Sequence, residues 1–259
     1  MNRTELVEKL REEIPVLLSD LNRTLVYVEG VPNLRIIKNY TANVINSIAT
    51  GGPLKGTKKD RIYVSEFLKD VLSDNKIGKF KPAACRVLLT GVKRQDFEEA
   101  NLDILKYHEI PDVKKFLTAF KKSGESKKTM LISRHTYTGP FVDYFGFDYK
   151  ASNDTCFESD GSDARFAGFW IQYRKPKDKL NAAEKELNKI NLSVSDCAVL
   201  VDGNNDIPLI DESALSLASP RAKPKIKGRV DYPIKNFQEY AVIARMLEEE
   251  MPKIEPLRV

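Results

Sequence analysis

The chain has 259 residues, 42% hydrophobic and 31% charged, with 42 basic against 37 acidic side chains and a formal net charge of +5. Such a balance belongs to an ordinary globular protein with a proper core, and the slight basic excess fits an anionic small ligand as readily as nucleic acid. Cys85, Cys156 and Cys197 are odd in number and far apart, so neither a disulfide framework nor a cysteine metal site is expected. The first fourteen residues, MNRTELVEKLREEI, lack the apolar centre of a secretory signal, and no apolar run approaches the ~18–20 residues that span a bilayer. The expected location is the cytoplasm, with no membrane partner.

Residues from Thr4 to Glu13 carry Leu6, Val7 and Leu10 at helical spacing, with Thr4 as the expected N-cap, and Pro15 ends that helix. Val16-Leu17-Leu18 then reads as a buried strand that stops at Asp20. A polar turn, Leu21 to Thr24, and a second apolar run, Leu25 to Val28, follow. From Leu34 to about Ser123 the pattern is mostly helical, with Ile36, Ile37, Tyr40, Val44, Ile45 and Ile48 forming one stripe. Further helices are expected over 62–72, 97–105 and 113–120. This predicts a helical insertion over 30–123 between the two parts of a core, 1–29 and 124–259.

Lys128 to Ser133 is the next predicted strand and ends in a hydroxyl. Thr155 to Gln172 alternates around Asp160-Gly161, a hairpin signal, with Trp170 expected in the core. Lys175-Pro176 opens a helix through Ile190, and Ala198 to Val201 is a strand that ends at Asp202 within Asp-Gly-Asn-Asn-Asp. Ala214 to Ala218 reads as a short strand and Asn236 to Glu250 as a closing helix with Tyr240, Ile243, Ala244 and Leu247 inward. Arg221 to Arg229 is a basic stretch without interleaved aromatics, hence a solvated loop and not a nucleic-acid patch. Strands alternating with helices outside the insertion predict an α/β fold with a parallel, Rossmann-like sheet, where chemistry sits at the carboxyl ends of the strands.

Two strand-end aspartates, Asp20 and Asp202, are therefore candidates to meet around one divalent cation. A carboxylate can attack phosphorus, and carboxylate oxygens with a substrate phosphate suit Mg²⁺. Ser133 can donate to a phosphate oxygen, and a lysine opening the helix after the hairpin can neutralise the reacting charges; Lys175, Lys177 and Lys179 all lie there.

The order D-x-N-x-T-L, a strand ending in Ser, a Lys and then D-G-N-N-D resembles the four motifs of the haloacid-dehalogenase-like phosphatases, and within them the phosphoserine phosphatase group. The resemblance covers 14–29, 128–168 and 179–247. It implies an α/β core with a cap inserted after the first motif and a β-hairpin after the second. It implies Asp20 as nucleophile and Mg²⁺ ligand, the backbone carbonyl of Asn22 and the carboxylate of Asp202 as further ligands, and Asp206 supporting them. It also implies that Ser133, Lys179 and Asn205 hold the phosphate, and that Glu29 stands where the group recognises a substrate amine. The expected activity is Mg²⁺-dependent hydrolysis of a small phosphorylated metabolite through an aspartyl phosphate.

Three positions depart from that pattern. Asn22 stands where the group has an acid–base aspartate, Arg134 where it has glycine after Ser133, and Val201 where it has glycine before Asp202. An amide cannot protonate a leaving alkoxide, so the alternative is a catalytically weak or inactive binding or regulatory subunit of a larger complex; a homodimer is also compatible with the sequence. Arg134 either binds a second anionic group of the substrate or pairs with an acid of the cap, the pocket role being favoured, and His135 is read as structural.

Overall fold

The computed structural model describes residues 1–26, 92–135, 137–170, 173 and 175–249. Glu29, most of the insertion and the tail after Pro252 lie outside the described residues. The chain opens with helix α1 (Arg3–Glu12) and strand β1 (Val16–Ser19). Helices α2 (Arg94–His108) and α3 (Val113–Lys122) lead to β2 (Lys128–Ser133), α4 (Gly139–Phe145) and β3 (Tyr149–Ser152). The hairpin β4 (Asp154–Phe157) and β5 (Phe166–Trp170) precedes α5 (Pro176–Leu187), β6 (Ala198–Val201) and α6 (Ile207–Glu212). Strand β7 (Leu215–Ala218), α7 (Pro224–Lys227), β8 (Tyr232–Pro233) and α8 (Gln238–Glu248) complete it.

Six strands form one parallel sheet in the order β3-β2-β1-β6-β7-β8. The chain builds outward from β1 through β2 to β3, then returns to the other side of β1 and builds outward again. The strand order reverses between β1 and β6, and open α/β sheets form their ligand crevice at such a point, beyond the carboxyl ends of the strands. The central strands are buried on both faces, as a parallel sheet between helical layers requires. Alternate residues divide between two cores: Leu17, Leu131, Leu200 and Leu217 pack with α1, α3, α4 and α8, whereas Leu18, Met130, Ile132, Val199 and Val201 pack with α5, α6 and α7.

Some expectations change. The N-cap of α1 is Asn2, not Thr4: Asn2 accepts from the Glu5 amide at 3.0 Å while Glu5 accepts from the Asn2 amide at 2.9 Å. Helix α3, read as part of the insertion, lies in the core layer, where Phe116, Leu117 and Phe120 are fully buried and Phe116 packs on Tyr240 of α8. Amphipathicity shows that a helix has a face to bury, not what it is buried against. The hairpin forms as expected, but its two strands make a separate sheet and Trp170 is 60% exposed, so it is not a core residue. The basic stretch contains the short helix α7, and Arg229 is tied to Asp211 by a two-pronged ion pair at 2.6 and 2.8 Å.

The hairpin also holds the return from the insertion. The Arg94 amide donates to the Ala164 carbonyl and the Phe166 amide to the Val92 carbonyl, both at 2.9 Å. Phe97 of α2 packs against Tyr137, Phe157 and Phe166, with the Arg94 guanidinium 4.6 Å from the Phe157 ring centre.

Candidate active site

Register explains why the acidic side chains meet. Ser19 pairs with Leu200, and the Asp20 amide donates to the Leu200 carbonyl at 3.0 Å, so β1 and β6 run out of ladder together. Asp20 follows one strand and Asp202 the other, on adjacent strands at the reversal of strand order. The one-turn helix Asn204–Asp206 then turns the chain back, bringing Asp206 to the same crevice. One carboxylate oxygen from each of Asp20, Asp202 and Asp206 lies within 4.8 Å of the other two, and among the described residues this is the group that could hold a metal ion.

Lys179 enters from the opposite direction. Pro176 starts α5, and the Asp178 carboxylate accepts the Lys175 amide at 2.8 Å, which fixes the first turn. Lys179 is 2% exposed, and its ammonium donates to Asp20 Oδ1 and Asp206 Oδ1, each at 2.5 Å. Lys175 and Lys177, the alternatives along the chain, are exposed. Burial opposes the ammonium charge of Lys179, but Asp20 and Asp206 together outweigh it and hold its pKa above the usual lysine value.

The carboxylates feel the opposite balance. Burial pushes the Asp202 carboxyl up to about 8, with Asp20 and Asp206 adding repulsion against the weaker help of Lys179 and Arg23. Asp20 is raised as well, chiefly by burial, although Lys179 and the Leu21 amide favour its charge. Such a site gains most from a divalent cation, which neutralises the like charges whose crowding raised the pKa values.

The donor chemistry fits Mg²⁺, because every candidate ligand is a hard oxygen. Asp20, Asp202 and Asp206 are the side chains whose oxygens could hold such an ion. Asp206 has one oxygen on Lys179 and the other accepting the Gly203 amide at 3.2 Å, so it fixes Lys179 and the turn around Asp202. A pH dependence follows. The unfolded carboxyls titrate near 4, whereas Asp202 titrates at about 8 in the fold and Asp20 is shifted the same way. Between those values the unfolded chain binds fewer protons, so the metal-free protein loses stability as pH rises through that window. Mg²⁺ should therefore raise the melting temperature more at pH 8 than at pH 5; about 2.7 kcal/mol at one hundred times Kd corresponds to roughly 5–10 °C. Differential scanning fluorimetry at both pH values checks it, and an equal shift at both would refute it.

The remaining candidates are placed as follows. Ser133 ends β2, is 2% exposed, and its Oγ accepts the His135 amide at 3.1 Å. The Arg134 carbonyl accepts Asn153 Nδ2 at 2.7 Å, which anchors the backbone of that loop and leaves its side chain half-buried. Asn205 is half-buried in the turn between Asp202 and Asp206. Asn22 sits in a tight turn bridged to Val26, two residues past Asp20. The structure brings together Asp20, Lys179, Asp202 and Asp206, and Glu29 lies outside the described residues.

Two contributors went unnoticed in the sequence. Ser219, the first residue after β7, donates its hydroxyl to the Arg23 carbonyl at 2.5 Å and so ties the turn after Asp20 to the next strand end. The loop after it braces Asp202, whose carbonyl accepts the Lys223 amide at 3.1 Å. The signal for Ser219 was the one that marked Ser133: a polar side chain directly after an apolar strand.

Residues 162–247, which hold Lys179, Asp202, Asn205 and Asp206, match the family model of the haloacid dehalogenase-like hydrolases. No curated protein matches the chain. Among solved structures, a phosphoserine phosphatase in apo form is similar over 88% of this chain and 97% of its own, with a TM-score of 0.57 and 17% identity. A phosphoserine phosphatase solved as a phospho-aspartyl intermediate analogue aligns over 89% and 99% of the two chains, with a TM-score of 0.54 and 18% identity. A HAD family hydrolase from Salmonella enterica serovar Typhi aligns over 92% of this chain and 72% of its own, with a TM-score of 0.58 and 13% identity. No helix among the described residues is long and apolar enough to cross a membrane. The chain thus has the fold of the phosphoserine phosphatases, and over residues 162–247 its sequence matches the haloacid dehalogenase-like hydrolases.

Proposed function

We propose that the protein is a Mg²⁺-dependent phosphatase that hydrolyses a small phosphorylated metabolite through an aspartyl phosphate on Asp20. The observation that carries this reading is the Lys179 ammonium bridging Asp20 and Asp206, with Asp202 beside them, at the reversal of strand order. Lys179 and the Leu21 amide engage the Asp20 carboxylate and leave a lone pair to attack. Attack on phosphorus forms the Asp20 acyl phosphate and expels the leaving oxygen, and water then cleaves the acyl phosphate. Asp20, Asp202 and the Asn22 backbone carbonyl would hold Mg²⁺, which would supply neutralising charge for the phosphoryl oxygens. Ser133, Asn205 and Lys179 donate to those oxygens, and Lys179, already charged and buried, needs no reorganisation to do so. The inserted segment serves as the cap, with Glu29 and Arg134 facing the substrate. Cytoplasmic location belongs to the same reading.

The test is phosphate release across a panel of phosphometabolites with and without Mg²⁺; no Mg²⁺-stimulated release from any member sinks the proposal. Asn22 gives the second reading its support: with an amide two residues after the nucleophile, the chain could serve as a binding subunit, and stoichiometric partners without turnover would select it. Asn22→Asp should raise kcat on alkyl phosphates by about 10²-fold, the lower range for general acid–base help, and change it little on aryl phosphates whose leaving group needs no proton. Equal effects on both substrate types would show that Asn22 does not stand at the leaving group.

A further inference from the structure

The Asp20 amide makes the last bond of its strand to β6, and the chain then turns away from the sheet. That turn is closed by its own backbone. The Leu21 carbonyl accepts the Leu25 and Val26 amides at 2.9 and 3.1 Å, and the Arg23 amide donates to the Val26 carbonyl at 2.6 Å. Arg23 takes φ of 58°, in the left-handed region that side-chain-bearing residues seldom adopt. Such a conformation persists only where the surrounding structure enforces it. From outside the turn the Ser219 hydroxyl does so, donating to the Arg23 carbonyl at 2.5 Å.

Ser219 is itself held. It is fully buried, its amide donates to the Val201 carbonyl at 2.9 Å, and its Oγ accepts the Arg221 amide at 3.1 Å. A serine hydroxyl has one proton to give, and the Arg23 carbonyl takes it. Val201 directly precedes Asp202, whose carbonyl accepts the Lys223 amide at 3.1 Å. One loop, 219–223, therefore bonds the turn after Asp20 and also the backbone of Val201 and Asp202. The ladder between β1 and β6 ends at Asp20 and Leu200, so beyond it this loop ties the two carboxylate-bearing strand ends together.

Carboxylates hold Mg²⁺ well only when their oxygens stand at the separation its near-ideal octahedral geometry demands. Groups standing behind the ligands set that separation. We propose that Ser219 is a positioning residue for the cation site. Through the Arg23 backbone its hydroxyl keeps the Asp20 turn in register with Asp202, and so sets the affinity for a divalent cation. This deepens the phosphatase reading above and rests on it for the use made of the cation.

Titration calorimetry of Mg²⁺ into the folded, metal-free, full-length chain tests this without turnover. Ser219→Ala should raise the Kd for Mg²⁺ by about tenfold or more, as loss of a group behind the ligands does. Asparagine enters the left-handed region more readily than arginine, so adding Arg23→Asn to Ser219→Ala should return the Kd to within about threefold of the wild type. Ser216→Ala controls for lost stability alone. The Ser216 hydroxyl, on the same strand and also buried, donates to Asp231 at 2.7 Å. Its removal should lower the melting temperature and leave the Kd for Mg²⁺ as in the wild type. An unchanged Kd in Ser219→Ala, an equal rise in Ser216→Ala, no recovery with Arg23→Asn, or no binding of Mg²⁺ to the wild type would each overturn the assignment. Mg²⁺-stimulated phosphate release with an unchanged Kd in Ser219→Ala refutes the assignment and leaves the phosphatase reading intact. The expected Kd pattern in a wild type that releases no phosphate refutes the phosphatase reading and leaves the assignment standing.

Discussion

Replacing Asp20 by Asn should lower Mg²⁺-dependent phosphate release by at least about 10⁴-fold, the scale seen when a covalent nucleophile is removed. Asparagine keeps the shape and retains an oxygen to accept from Lys179, so a loss of activity in this variant cannot be assigned to lost packing. The stability effect should have the opposite sign. Asp20 is one of three crowded carboxylates and its charged form is disfavoured by burial. Removing one of three like charges relieves that repulsion, so the metal-free variant should melt higher than the wild type at pH 8, by about 1 kcal/mol, while losing its response to Mg²⁺. Acid-quenched wild-type protein exposed to substrate should carry a phosphoryl group on the peptide containing Asp20, detectable by mass spectrometry, and the variant should carry none. Retained turnover within tenfold of the wild type, or labelling elsewhere, would show that another group attacks phosphorus. Asp20→Ala should give the same loss of activity, with an added penalty in stability because the cavity leaves Lys179 one partner short.

Lys179→Met should have the largest effect on the fold. The side chain is nearly isosteric and stays apolar along its length, but the charge between Asp20 and Asp206 is gone. Breaking a buried ion pair from one side leaves the partners uncompensated, at a cost of about 3–5 kcal/mol. For a domain of this size that is a fall of roughly 10 °C or more in melting temperature at pH 8. The sign of the pH dependence identifies the cause. Lowering the pH protonates Asp202, whose pKa burial pushes up to about 8. The unpaired charge then disappears, so the gap between variant and wild type should narrow from pH 8 towards pH 5. A gap independent of pH would point to lost packing in place of lost charge. Activity should be undetectable in the variant even where it is folded, because the ammonium that would neutralise the phosphoryl oxygens is missing. Lys175→Met and Lys177→Met, in the same turn but exposed, should leave both stability and activity close to the wild type.

Much of the core was legible for a physical reason that can be named strand by strand. Val16-Leu17-Leu18 and Ala198 to Val201 are continuous apolar runs because a central parallel strand is covered on both faces, and a run that stops at a carboxylate has reached the sheet edge where ligands bind. The hairpin was legible from Asp160-Gly161, since turn chemistry is local. What local pattern left open was choice among near neighbours. Thr4 and Asn2 are both acceptable caps, and only the reciprocal bonds with Glu5 decide for Asn2. Lys175, Lys177 and Lys179 fall within one helical turn and a residue, and the identity of the buried one depends on which face of α5 meets the sheet. Trp170 was misjudged because a large aromatic usually belongs to a core, whereas this strand lies in a two-stranded sheet with one side open.

The order of the strands and helices and the acidic ends of two central strands were legible along the chain, because they follow from residue periodicity and from functional groups written in it. Tertiary structure alone shows that Lys179, already marked by the motif order, donates to both Asp20 and Asp206, that α3 packs with the sheet, and that Ser219 holds Arg23 from 196 positions away. Those outcomes depend on register between β1, β6 and β7 and on the reversal of strand order. Such relations arise between distant segments through hydrogen bonds and burial, and a local stretch of residues carries no record of them.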